Sequence, residues 1–116
     1  PYQAAKVPER QGVIYVYQKK NAGPLAVTTA VEVDGKPVVV MKNSGYYPHF
    51  AHPGKCLLAS VQNKPSSVEI GVQPGQTYYV RCKYSWSFGA KPPMHLEVVP
   101  KEIGEPDVAQ CKLLSD

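Results

Sequence analysis

The chain has 116 residues, a formal net charge of +4, 43% hydrophobic and 19% charged side chains. That length makes one domain with a real core, and the composition argues against an intrinsically disordered chain. Its lysines are scattered rather than run together, which argues against a nucleic-acid-binding arm. Twelve prolines and nine glycines fall mostly between short apolar runs, which suits a loop-rich all-β domain and not a helical bundle. No apolar stretch approaches the ~20 residues of a membrane span. No signal peptide is visible, and a start at Pro1 without methionine is expected of a processed chain.

Residues 1–11 are polar, carry two prolines and read as a flexible lead-in. Gly12 to Lys19 is the first strand, apolar on both parities and so expected inside a sheet or packed on both sides. Lys20 to Leu25 is a loop, and the second strand runs from about Val27 to Val33. Asp34-Gly35 is the strongest hairpin signal, because both central positions of a tight turn favour positive φ. The third strand is Pro37 to Met41, and Lys42 to Gly45 is a turn. Tyr46 to His52 reads as a short aromatic segment. His52-Pro53-Gly54-Lys55 has the proline and glycine placement of a type II turn.

Cys56 to Val61 is the fourth strand, Gln62 to Ser66 a connection, and Ser67 to Val72 the fifth strand. Pro74-Gly75 repeats the turn chemistry. The sixth strand, Thr77 to Ser85, alternates with Tyr78, Val80, Cys82 and Tyr84 inward and Arg81 and Lys83 outward. Ser87 to Pro93 is a loop, and Met94 to Val99 is the seventh strand. The tail, 100–116, is expected to hold a short helix over Pro106 to Leu114. Together these elements predict an all-β fold, a seven-stranded antiparallel β-sandwich over 12–99 followed by a short C-terminal helix or tail. The buried layer should contain Ile14, Val16, Val31, Val33, Leu58, Val68, Ile70, Tyr78, Val80, Leu96 and Val98.

Residues that carry chemistry are dispersed. His49 and His52 are three apart, on opposite faces of a strand, and His95 is distant, so no metal site is expected. The carboxylates are spread along the chain, and no nucleophile elbow, phosphate loop or zinc-protease motif occurs. No catalytic residue and no cofactor is therefore assigned. The aromatic side chains divide into two groups: Tyr46, Tyr47 and Phe50, and the alternating Tyr84, Trp86 and Phe88. Alternation is first a core signal. If the strand ends project beyond the core, Tyr46, Tyr47, Phe50, Trp86 and Phe88 form a binding surface for a sugar ring or a protein partner. Nucleic acid is not expected there, since no basic stripe interleaves these rings.

Three cysteines fit no closed disulfide framework. One bridge plus a free thiol suits an oxidising compartment, and three thiols suit a cytosol. Cys82 is inward on the sixth strand and Cys56 opens the fourth, so a Cys56–Cys82 bridge with Cys111 free is expected. Cys82–Cys111 is the rival pairing. The first would close a loop of about 25 residues, worth ~3–4 kcal/mol if unstrained.

Several segments, taken in order, resemble an uncharacterised bacterial domain family. They are Val13-Ile14-Tyr15-Val16-Tyr17, Val31-Glu32-Val33-Asp34-Gly35-Lys36-Pro37-Val38, Gly45-Tyr46-Tyr47, Pro53-Gly54-Lys55 and Pro74-Gly75-Gln76-Thr77-Tyr78-Tyr79-Val80. In that family a VYVYR strand precedes a VDGK hairpin, a PGKH turn and a GxxYYV strand, and its members are commonly cell-envelope lipoproteins. The pattern is also similar to PEGA-type β-sandwich domains. It covers about residues 12 to 99, with Gln18 in place of arginine and Cys56 in place of histidine. The resemblance implies a non-catalytic structural or binding domain of an exported lipoprotein, periplasmic or anchored to the outer membrane. Its partner would be an envelope protein or a glycan, with membrane association only through a lipid anchor that this chain lacks. The alternative is a periplasmic carbohydrate-binding or inhibitor module.

Overall fold

The computed structural model describes residues 10–20, 29–61, 66–84 and 94–114. Among them are nine strands and one helix: β1 (Gly12–Gln18), β2 (Thr29–Val33), β3 (Lys36–Met41), β4 (Gly45–Ala51), β5 (Gly54–Ser60), β6 (Ser67–Val72), β7 (Thr77–Tyr84), β8 (Met94–Val99), α1 (Lys101–Ala109) and β9 (Lys112–Leu113). The chain is mostly β, as the alternation predicts, but the count of seven strands is corrected to nine. The added strands are β4, formed by the aromatic segment, and the two-residue β9.

A proline in mid-segment disguised β4. Pro48 has no N–H to give to a ladder, so a strand containing it belongs at an edge. The topology supplies that edge. The first sheet has the order β8-β7-β1-β4-β9, and β9 pairs β4 only at Gly45 and Tyr46, leaving the side of β4 beyond them open. Opposite, Pro48 aligns with Tyr15 of β1. This sheet is mixed and not purely antiparallel, because β1 lies parallel to β7 and β4 parallel to β9. The second sheet, β3-β2-β5-β6, is antiparallel throughout.

Turn chemistry sets the register. Asp34 and Gly35 both have positive φ, 50° and 84°, as a two-residue hairpin requires. The turn is also tied sideways: the Asp34 N–H donates to the Leu57 carbonyl (2.8 Å), and the Leu57 N–H donates to Asp34 Oδ1 (2.9 Å). Gly75, with φ 75°, occupies the position of the Pro-Gly turn where a Cβ would be strained.

One buried cluster draws on both sheets, joining Ile14, Val16, Val80, Cys82 and Leu96 to Val31, Val33, Met41, Cys56, Leu58 and Ile70. Most of the expected layer is therefore buried, with Val68 and Tyr78 half-buried against it. Val98 is the exception, 51% exposed, while its neighbour Val99 is buried. It shares a face with Val80, its cross-strand partner, but β8 is the edge of its sheet. Val99 faces the opposite side, where a second cluster lies.

That second cluster holds Val13, Tyr15, Tyr17, Tyr46, Tyr79 and Val99 from the sheet, with Val108 and Cys111 from the C-terminal segment. It accounts for the double apolar parity of β1, buried at every position. Tyr15 stacks on Tyr79, with ring centroids 5.5 Å apart and planes 14° apart. The helix begins at Lys101, with Pro100 at the N-cap position and no side-chain cap, and runs through Pro106, so the expected start at Pro106 is corrected. Pro106 deprives the Glu102 carbonyl of its helical donor. Seating Gly104 and Val108 on the tyrosines compensates, since most helical stability in proteins comes from packing one face. After α1 the chain rounds the sheet edge. The Lys112 N–H donates to the Ser44 carbonyl and the Leu114 N–H to the Tyr46 carbonyl, and Leu114 packs on the inter-sheet core over Gly45.

Candidate functional site

Half of the outer face of the first sheet is apolar and covered by α1; the other half is polar. Alternation along β1, β7 and β8 places Tyr17, Arg81 and Glu97 in one cross-strand row, and Lys83 opposite His95 in the next. Arg81 Nε donates to Glu97 Oε1 at 2.7 Å, and Lys83 Nζ lies 3.6 Å from the same oxygen. From α1, Asp107 reaches the row. Its Oδ2 accepts from the Tyr17 hydroxyl at 2.7 Å and lies 3.6 Å from an Arg81 guanidinium nitrogen; its Oδ1 lies 3.6 Å from Lys19 Nζ.

Electrostatics follow this geometry. The hydrogen bond from Arg81, together with its charge, holds the Glu97 carboxyl below its usual range, and reciprocally raises Arg81. Burial, reinforced by the Asp107 bond, pushes the Tyr17 hydroxyl far up. Beside the network a cleft of about 120 Å³ is lined by Lys19, Lys20, Asp107, Gln110 and Cys111. These residues come from widely separated parts of the chain, and the only sequence signal for them was the outward alternation of Arg81 and Lys83.

The five expected surface aromatics do not form one surface. Tyr46 is buried under α1, whereas Tyr47, next along β4, faces the opposite side and packs on the inter-sheet core. Phe50 is 37% exposed, opposite Val13. Trp86 and Phe88 lie outside the described residues. Alternation of side chains along a strand makes it impossible for adjacent Tyr46 and Tyr47 to share a face.

Cys56, Cys82 and Cys111 are all buried free thiols, so the expected Cys56–Cys82 bridge is corrected. Cys82 and Cys111 belong to the clusters on opposite faces of the first sheet, which also separates the rival pair. Burial raises all three thiols, Cys56 and Cys111 to about 11 and Cys82 further, which suppresses the reactive thiolate. His49 is half-buried and held below its usual range by desolvation, while His52 and His95 are exposed. Among the described residues no group of three His, Cys, Asp or Glu side chains is placed to hold a metal ion.

The outer face of the second sheet is different in kind. Val40, Leu57 and Val61 are 46%, 44% and 48% exposed. Val40 pairs with Ala30 across β2 and β3, and the Val61 N–H donates to the Ala30 carbonyl at 3.0 Å, so the three residues form a row. An apolar cleft of about 180 Å³, lined by Ala30, Pro37, Val38, Val39 and Val40, follows β3 along the open edge. Among the described residues no helix is long and apolar enough to cross a membrane. Compared with family models, with curated proteins and with solved structures, the chain shows no match.

Proposed function

We propose that this chain is a non-catalytic structural or binding domain of an exported bacterial cell-envelope lipoprotein, built as a β-sandwich that presents one sheet face to a protein partner. The observation that carries the binding reading is the apolar row of the four-stranded sheet, Val40, Ala30 and Val61, with Leu57 further along β5 on the same face and the cleft along β3. Exposed aliphatic side chains grouped on one face mark interaction surfaces more often than scattered ones do, and an open edge strand offers backbone groups to an incoming strand. The envelope assignment rests on the resemblance of the strand and turn motifs, and fold alone does not supply it.

Fractionation of the source cells tests the location: the protein should follow the envelope fraction, and recovery in the cytosol overturns it. A photo-crosslinking residue at Val40 or Leu57, introduced in the native protein and activated in cells, should give a discrete adduct that a probe at Glu102 on the helix does not. Equal labelling from all three positions overturns the sheet-face reading.

A further inference from the structure

We infer that the polar half of the first sheet's outer face is a binding surface for a polyanionic glycan, a polymer carrying carboxylate or phosphate groups along its length. The inference rests on the binding-domain reading but uses a different face from the apolar row. Four cations, Lys19, Lys20, Arg81 and Lys83, surround two carboxylates, Glu97 and Asp107. Two positive charges are left over, half of the chain's net +4, in one place. Each carboxylate is already shared between two cations, so neither is free to neutralise the excess. Lys19 and Lys83 remain about half exposed, at 48% and 53%.

The geometry suits an extended chain. Strands lie ≈ 4.8 Å apart, so positions on β7, β8 and just beyond β1 set Lys83, His95 and Lys19 across a span of roughly 10 Å. At one end of that span the cleft beside Gln110 offers an amide and the Lys20 ammonium. Among the described residues, Arg81, Glu97, Lys83 and His95 have no exposed large apolar side chain beside them on β7 and β8; the exposed Ile103 and Leu113 belong to α1 and β9. Val40, Leu57 and Val61 lie on the other sheet, Phe50 lies near the far end of β4, and Val98 points to the opposite side of β8. A membrane surface would call for apolar groups to enter the bilayer boundary, and single-stranded nucleic acid would call for stacking rings. A hydrophilic polyanion needs neither.

Oligogalacturonate, added to the isotopically labelled full chain in an amide-correlation NMR titration, is the probe. Shifts should concentrate at Lys19, Lys20, Lys83, His95 and Gln110, and should weaken as salt is raised, because attraction between exposed charges is screened. The double variant Lys19→Glu, Lys83→Glu should lose about tenfold or more in affinity, and Lys19→Gln, Lys83→Gln a smaller factor. Lys36→Glu, Lys55→Glu changes the net charge equally on exposed positions of the other sheet and should cost at most about twofold. Equal losses from the two Glu pairs, or shifts spread over all lysines, overturn the inference. So does tighter binding at these residues to phosphatidylglycerol vesicles or to a DNA oligonucleotide than to oligogalacturonate. Loss of glycan binding with the Val40 and Leu57 crosslinks intact rejects this surface alone.

Discussion

Gly104→Ala sets two known effects against each other at one site. In a helix interior, glycine is about 1 kcal/mol less favourable than alanine, so an unobstructed substitution would stabilise the protein by that amount. Here a Cβ would run into Tyr79 Cγ and come within 2.5 Å of its Cβ and 2.6 Å of its Cδ1. Those atoms sit at the root of a ring that is 3% exposed and stacked on Tyr15, so they cannot swing aside as the tip of a long side chain could. Overpacking of this kind costs about 1–3 kcal/mol, and contact with three near-backbone atoms places it at the upper end. The net expectation is a loss of about 2 kcal/mol, a fall in Tm of roughly 8 °C at ~4 °C per kcal/mol. Urea titration followed by far-ultraviolet circular dichroism measures it. The control is Gly71→Ala on the exposed face of β6, where a Cβ meets nothing within 4 Å; it should stabilise by about 0.5–1 kcal/mol. If Gly104→Ala stabilises as Gly71→Ala does, α1 does not rest on Tyr79 and the second cluster is wrongly described.

Gln18 is fully buried, and neither its side-chain nitrogen nor its side-chain oxygen has a hydrogen-bond partner among the described residues. An unpaired buried polar group costs about 1–3 kcal/mol, so Gln18→Met, similar in length and apolar, should raise stability by at least ~1 kcal/mol; a loss would show that the amide has a partner. Asp107→Ala should cost about 2 kcal/mol in urea titrations, because it strands the buried Tyr17 hydroxyl, and Asp107→Asn, which can still accept that bond, should cost less; equal costs would refute the role of the bond. In alkali, Tyr17, Cys56 and Cys111 stay protonated when folded but ionise when unfolded. Their contribution is full below the ordinary tyrosine and thiol ranges and is lost as pH rises through the raised folded values, about 11 for the two thiols. Melts across that interval should show falling Tm, and a flat profile would contradict their burial. In acid, Glu97 acts with the opposite sign: its lowered carboxyl contributes above the unfolded carboxylate range and ceases to as pH falls through the folded value, so Glu97→Gln should flatten the acid limb of the same curve.

Local pattern determined the β content of this protein, the hairpin at Asp34-Gly35 and the inward face of β7, because alternation and turn preference act between neighbours along the chain. It also determined that β1 is packed on both sides, since only burial accounts for apolar residues on both parities. What covers the second side was settled by tertiary structure alone. Gly104 and Pro106 weaken a helix locally, and only the tyrosines beneath make α1 worth forming. Pro48 argues against a strand until the side of β4 beyond its two-residue pairing with β9 is seen to be open. Val98 is exposed where Val99 is buried because, at the end of an edge strand, the inter-sheet core that covers Met94 and Leu96 stops short while the other face meets the second cluster. The polar network is the extreme case: Tyr17 and Asp107 are 90 residues apart. No periodicity links them, and their contact follows from β1 lying beside β7 and from α1 folding back across both.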